Sequence, residues 1–212
     1  EGDYRIQALV EEEGEIVHGN SSGALLMTHA DGHALVYGDF FTQSIHSHYY
    51  NLTAGTLEVR GDFYQLPGHT DNFRARSSHR VIFTGSDVQT VHFTNPNNSS
   101  LANCRIVNTQ VVFTSEVPGF PLDRDAVVSA PLGFSGTMDL KGQTLTVVGD
   151  VLQGTGTVAL SGGTLSVQGN LLQSSGTINI GSGNLIIEGD YRIQALVEEE
   201  GEIVHGNSSG AL

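Results

Sequence analysis

The sequence predicts an all-β fold: a single-stranded parallel β-solenoid (β-helix) with about 20 to 23 residues per coil, wound right-handed because parallel crossovers nearly always are. Three observations lead there. A phrase of twenty residues repeats near the C-terminal end, where Gln143-Thr144-Leu145-Thr146-Val147-Val148-Gly149-Asp150 returns as Gly163-Thr164-Leu165-Ser166-Val167-Gln168-Gly169-Asn170 and again as Gly183-Asn184-Leu185-Ile186-Ile187-Glu188-Gly189-Asp190. Glycine is abundant, 27 of 212 residues, yet the segments between glycines are too apolar for a disordered linker. Residues Glu1 to Leu25 recur without a change as Glu188 to Leu212, an offset of 187. A unit of twenty residues cannot bury its apolar face alone, and stacking successive units buries it.

Each twenty-residue unit reads as two strands with period-2 alternation. Leu145 and Val147, then Val158 and Leu160, point one way, and Thr146, Val148 and Ala159 the other. The same phrase is found earlier as His33-Ala34-Leu35-Val36-Tyr37-Gly38-Asp39-Phe40 and as Thr56-Leu57-Glu58-Val59-Arg60-Gly61-Asp62-Phe63. From the N-terminus, Gly2 to Gln7 completes a coil and Ala8 to Gly14 is an acidic excursion expected to be a loop. Glu15 to Gly19 and Ala24 to Met27 are expected strands. Residues 66 to 140 are read as wider coils of one continuous solenoid, carrying strands around Val81, Val91, Ile106 and Val112. Pro118, Pro121 and Pro131 make Val117 to Leu132 an expected irregular connection, since proline cannot join a central ladder. Residues 141 to 187 are the regular coils. Residues 1–187 are thus one full tandem repeat, and 188–212 begin the next; the chain reads as a window cut from a longer array.

Acidic residues number 23 against 9 basic ones. Without the duplicated 25 residues, one period carries 17 acids and 8 bases, a surplus that accumulates with every repeat. Such a surface is expected to repel nucleic acid and anionic membranes, and no nucleic-acid partner is expected. No apolar run reaches the roughly 18 residues of a membrane helix.

The phrases GTLEVRGDFYQ, SHRVIFTGSDVQTVHFTNPNNSSLANCRIVNT and GQTLTVVGDVLQGTGTVALSGGTLSVQGN resemble those of bacterial cell-surface and secreted β-solenoid repeat proteins, broadly similar to filamentous-haemagglutinin-type adhesins and extracellular matrix fibre repeats. The resemblance implies an extracellular location and a structural role in attachment, cell-cell connection or biofilm matrix. It carries over no catalytic residues. The alternative is a glycan- or ligand-binding surface stalk, whose sign would be Tyr37, Tyr49, Tyr50 and Tyr64 exposed in a row. A polysaccharide-degrading β-helix enzyme would need converging carboxylates, and the one tight charged cluster, Asp123-Arg124-Asp125, reads as a solvated loop. The expected partner is the chain itself, by head-to-tail stacking of repeats and by lateral fibre contacts.

The chain is expected to hold no metal and no cofactor; two sets of residues carry the alternative metal reading. Asp3, Asp39, Asp62, Asp150, Asn170 and Asp190 all follow the motif glycine, and a column of them, with Asp150 and Asp190 foremost, has the oxygen chemistry for Ca²⁺. The competing reading makes them turn residues that tolerate left-handed geometry and bond their own backbone. His46 and His48, two apart on an expected strand, would share a face as zinc ligands do, but no Cys or acid lies close enough in sequence to complete the set, and they are read as surface or stacked polar residues. His29 and His33, four apart, are read as surface positions. Stacked histidines would loosen the fibre on protonation. The lone Cys104, in an apolar strand, is expected to be buried, and the sequons at Asn20, Asn51, Asn97 and Asn98 are read as polar turns.

Overall fold

The computed structural model describes residues 2–129, 132–199 and 202–206, the last segment and 195–199 as backbone strands. The chain is all-β, with parallel strands stacked into a β-solenoid of about eight turns. The one helical element among the described residues is a 3₁₀ turn at Pro96–Asn98. Among those residues no helix is long and apolar enough to cross a membrane. Two compact units divide the chain, Glu1–Val111 and Val112–Leu212.

In the first unit, Tyr4–Ile6, Phe40–Thr42, Phe63–Gln65 and Gln89–Phe93 form one parallel ladder. His33–Val36, Thr56–Val59, Arg80–Phe83 and Asn103–Ile106 form a second. A third side is held by single bridges, Ser21 to Ser44, Met27 to Leu52 and Arg74 to Ser100. Ala24 to Met27 is therefore not the strand its apolar run suggested: Met27 alone bridges, and Leu26 faces solvent. The Gly-Asp phrase sits at a corner, so the residues before it feed one ladder and those after it the next.

Phenylalanine fills this unit. Phe40 and Phe63 stack with centroids 5.2 Å apart and planes within 10°, Phe93 lies 5.2 Å beyond Phe63, and Phe73 packs edge-on at 4.9 Å. In-register stacking places like residues at one strand spacing, close to the preferred separation of offset rings.

The excursion after Gln7 is not a loop but an antiparallel hairpin. Ala8–Glu12 pairs with Glu15–Gly19 through the two-residue turn Glu13-Gly14, with φ of 51° and 85°. Two consecutive left-handed residues make the tight turn that matches strand twist, so the acidic run bends back instead of drifting. Leu9 and Ile16, 70% and 66% exposed, lie on one face of it.

In the second unit each coil carries three strands where the sequence suggested two. Thr144–Val148, Thr164–Val167 and Asn184–Ile187 stack on one side, Val151–Gln153, Leu171–Gln173 and Tyr191–Arg192 on the next, and Thr137–Asp139, Thr157–Ala159 and Thr177–Asn179 on the third. The alternation expected of Leu145, Val147, Val158 and Leu160 holds, all four being buried. Val151-Leu152-Gln153, which a reading of two strands per unit leaves out, is the extra strand.

The Val117 to Leu132 stretch is also a coil and not an irregular connection. Val117–Pro118 pairs in parallel with Phe134–Ser135, Pro121 bridges Asp139, and Ala126–Ser129 joins the ladder of Thr144–Val148. Proline is admitted because the bonds to the neighbouring strand leave from Val117 N and Gly119 N, on either side of Pro118. Pro131 lies outside the described residues.

Candidate functional site

The column of residues after the motif glycine does form, and its chemistry is inter-coil capping. In the first unit, Asp3 Oδ1 accepts the Asp39 N–H at 2.9 Å, Asp39 Oδ1 accepts Asp62 N–H at 2.7 Å, and Asp62 Oδ1 accepts Thr90 N–H at 2.7 Å. In the second, Asp150 Oδ1 accepts Asn170 N–H at 2.7 Å and Asn170 Oδ1 accepts Asp190 N–H at 3.0 Å. Each of these N–H groups lies just before or just inside the start of a strand, and the side chain of the coil beside it supplies the acceptor. Asn170 serves as well as aspartate, because one carbonyl oxygen is all the bond needs.

The turn reading thus needs correcting in its mechanism. Five of these side chains, those of Asp3, Asp39, Asp62, Asp150 and Asn170, bond the backbone of the adjacent coil, and none of the six is among the non-glycine residues with positive φ, which among the described residues are Glu13, Ser77, Ala102, Lys141 and Ser161. The second carboxylate oxygens are also engaged at several rungs: Asp3 pairs with Arg5 at 2.7 Å, Asp190 with Arg192 at 2.8 Å, and Asp62 accepts the Tyr64 hydroxyl at 2.9 Å. The Asp39 N–H, then Arg5, holds the Asp3 carboxyl below its usual range. Burial, reinforced by Asp62, pushes the Tyr64 hydroxyl up to about 12. Asp150, Asn170 and Asp190 border an open groove of about 300 Å³ with Leu152, Leu171, Leu172 and Arg192. Among the described residues no group of three or more His, Cys, Asp or Glu side chains is gathered as a metal would require.

His46 and His48 do not share a face. They sit in a bend and not on a strand, and His46 is exposed while His48 is fully buried. Ser47 between them donates to Asp71 Oδ2 at 2.8 Å, and that tie pulls the segment inward. His29 and His33 are exposed, His33 lying 3.3 Å from Glu58. Asp123, Arg124 and Asp125 are exposed, and Asp125 Oδ1 accepts the Thr144 N–H at 2.6 Å. Cys104 is buried, in register with Val81.

The four tyrosines do not form a row. Tyr64 stacks on Phe41 at 5.0 Å in an outward column capped by Arg5, which lies 3.7 Å from the Phe41 ring. Arg60 covers Tyr37 at 4.6 Å, and Arg76 lies over both Tyr49 and Tyr50, which pack edge-to-face at 4.8 Å. Each ring thus meets a guanidinium or another ring on one side, while Tyr37 and Tyr50 stay 48% and 75% exposed.

Sequence reasoning missed a set of buried polar residues at the corners. Gln65 donates to Asn72 Oδ1 at 2.7 Å and accepts from Asn95 N–H at 2.8 Å. Gln153 and Gln173, stacked in register, donate to the carbonyls of Gly156 and Gly176. Their recurrence at a spacing of twenty was the available signal. His79, fully buried, has Nδ1 2.9 Å from the Ala54 carbonyl and no partner at Nε2.

Burial holds both His79 and His48 below the ordinary histidine value, with the Ala54 carbonyl partly offsetting it at His79. In the unfolded chain these rings titrate near pH 6.5, so below that the unfolded state binds more protons than the folded one. Their contribution is complete above about pH 7 and falls as pH drops from 6.5 toward the folded values. The urea midpoint is expected to decline between pH 7.5 and pH 5, and His79→Gln to flatten that decline; an unchanged slope in the variant would contradict the assignment.

Comparison with protein-family models, with curated protein sequences and with solved structures found no match to this chain.

Proposed function

We propose that this chain is a structural repeat of a long extracellular filament, similar in kind to the bacterial adhesin and matrix fibres its strand phrases resemble, working in attachment, cell-cell connection or biofilm matrix without catalysis. The observation that carries the reading is the identity of the two copies of the 25-residue segment, which includes a hairpin of identical register in each: Ala8 opposite Gly19 through Glu12 opposite Glu15, and Ala195 opposite Gly206 through Glu199 opposite Glu202. An exact copy serves a protein that presents the same surface at regular intervals. The parallel architecture supports the same reading, because stacked coils contact only their neighbours and stability grows with their number.

Arrays of one to four periods test this by electron microscopy. At about eight turns per period and a strand spacing of about 4.8 Å, each added period is expected to lengthen a rod by roughly 40 Å. Compact particles whose long axis does not grow with repeat number would refute it.

A further inference from the structure

The duplicated segment occurs twice, and in its two settings it bonds to opposite neighbours. As Gly2-Asp3-Tyr4, it faces the coil that follows: the Gly2 carbonyl accepts Gly38 N–H at 3.0 Å, Asp3 Oδ1 accepts Asp39 N–H, the Tyr4 N–H donates to the Asp39 carbonyl at 2.8 Å, and the Ile6 carbonyl accepts Gln43 N–H at 2.9 Å. As Gly189-Asp190-Tyr191, it faces the coil that precedes: Gly189 N–H donates to the Gly169 carbonyl at 3.0 Å, Asp190 N–H donates to Asn170 Oδ1, and the Asp190 carbonyl accepts Leu171 N–H at 2.8 Å. The first set uses the glycine carbonyl, the aspartate side chain and the tyrosine N–H. The second uses the glycine N–H and the aspartate main chain. No atom appears in both.

The glycine itself carries the same message. A Cβ on Gly2 would meet nothing within 4 Å, whereas one on Gly189 would lie 2.6 Å from Asn170 Oδ1 and 2.7 Å from the Gly169 carbonyl oxygen. The need for glycine at this position is set by a coil on the preceding side, present at one copy and absent at the other.

We infer that a single copy of Glu188–Ile193 is held from both sides at once, so that the partner of this chain's last coils is the next period's Gly38–Gln43 coil. The junction register is Leu171 on Tyr191 on one side and Tyr4, its equivalent, on Phe40 on the other. The capping column then runs Asp150, Asn170, Asp190 and on to the next period's Asp39 and Asp62 without an interruption. One period passes to the next with no linker, and the repeat boundary is as tightly bonded as a coil interior. This rests on the filament reading and goes further, since a filament could equally consist of separate bodies on tethers.

A chain of two full periods followed by the 25-residue segment tests it by disulfide trapping. Adjacent parallel strands, about 4.8 Å apart, lie within disulfide reach. Four positions bracket the junction: Leu172→Cys with Arg192→Cys, in register on the preceding side, and Gln194→Cys with Gln43→Cys of the second period, whose equivalents Gln7 and Gln43 are hydrogen-bonded at 2.8 Å. Thr146→Cys with Ser166→Cys, in register within the second unit, is the control in the same molecule. The buried Cys104 is left in place.

Peptide mapping after oxidation is expected to find both junction disulfides together, at the yield of the control. If the control forms while either junction pair stays reduced, the two-sided junction is wrong. Microscopy then separates the cases: bodies strung in a line on gaps leave the filament reading standing, and a single compact particle removes both.

Discussion

Gly61→Ala is expected to destabilise the first unit by about 3 kcal/mol or more, the upper range for overpacking a well-filled site. A Cβ there would be driven into the carbonyl group of Gly38 and would lie 2.5 Å from Asp39 Oδ1. The Gly38 group is main chain, itself fixed by the Gly61 N–H bond of 3.0 Å to its oxygen. The Asp39 oxygen is fixed by its 2.7 Å bond to the Asp62 N–H. Relief therefore requires the two coils to part, and that strains the ladder joining Phe40–Thr42 to Phe63–Gln65. Urea unfolding followed by circular dichroism measures the loss. Gly2→Ala in the same 212-residue chain is the matched control, expected within about 0.5 kcal/mol of the parent because nothing lies within 4 Å of that Cβ. Equal effects from the two substitutions would show that the close approach at Gly61 is not what requires glycine.

Phe63→Ala is expected to remove about 3 to 5 kcal/mol. The ring is fully buried, stacked against Phe40, tilted on Phe93 and met edge-on by Phe73 and Phe83. Its neighbours above and below are held by the ladders, so the walls of the cavity have little freedom to collapse. Phe63→Leu is expected to recover part of the loss, since it refills volume without the ring contacts. The same urea series reads it; a loss below about 1 kcal/mol for the alanine variant would mean that the phenylalanine column is not the core.

Most of the architecture could be read from residues whose environment repeats. Leu145, Leu165 and Leu185 stand in register because each is twenty residues from the next, and the alternation around them marks which side is buried. The third strand escaped because Val151-Leu152-Gln153 is three residues long, too short for alternation to distinguish it from the end of a turn. The hairpin after Gln7 was hidden by Glu13, which adopts a left-handed conformation more typical of Asn or Gly. Pro118 misled because the rule against proline in ladders holds only where its nitrogen would have to donate. The aspartates were correctly placed in a column, yet the partner each would find is a backbone group of the next coil, twenty or more residues away, which spacing alone does not reveal. His46 and His48 show the same gap: their separation by two said nothing about a bend tied down by Ser47 and Asp71.

Because every contact of a regular coil is with a near-copy of itself, length in this molecule can change without a change of kind. Excising Asp150 through Gly169 would leave Gly149 followed by Asn170 and set Leu145 directly on Leu185, the same pairing that Leu165 makes now. Removing or adding one such coil is thus expected to leave a chain that still folds, its length changed by one whole turn.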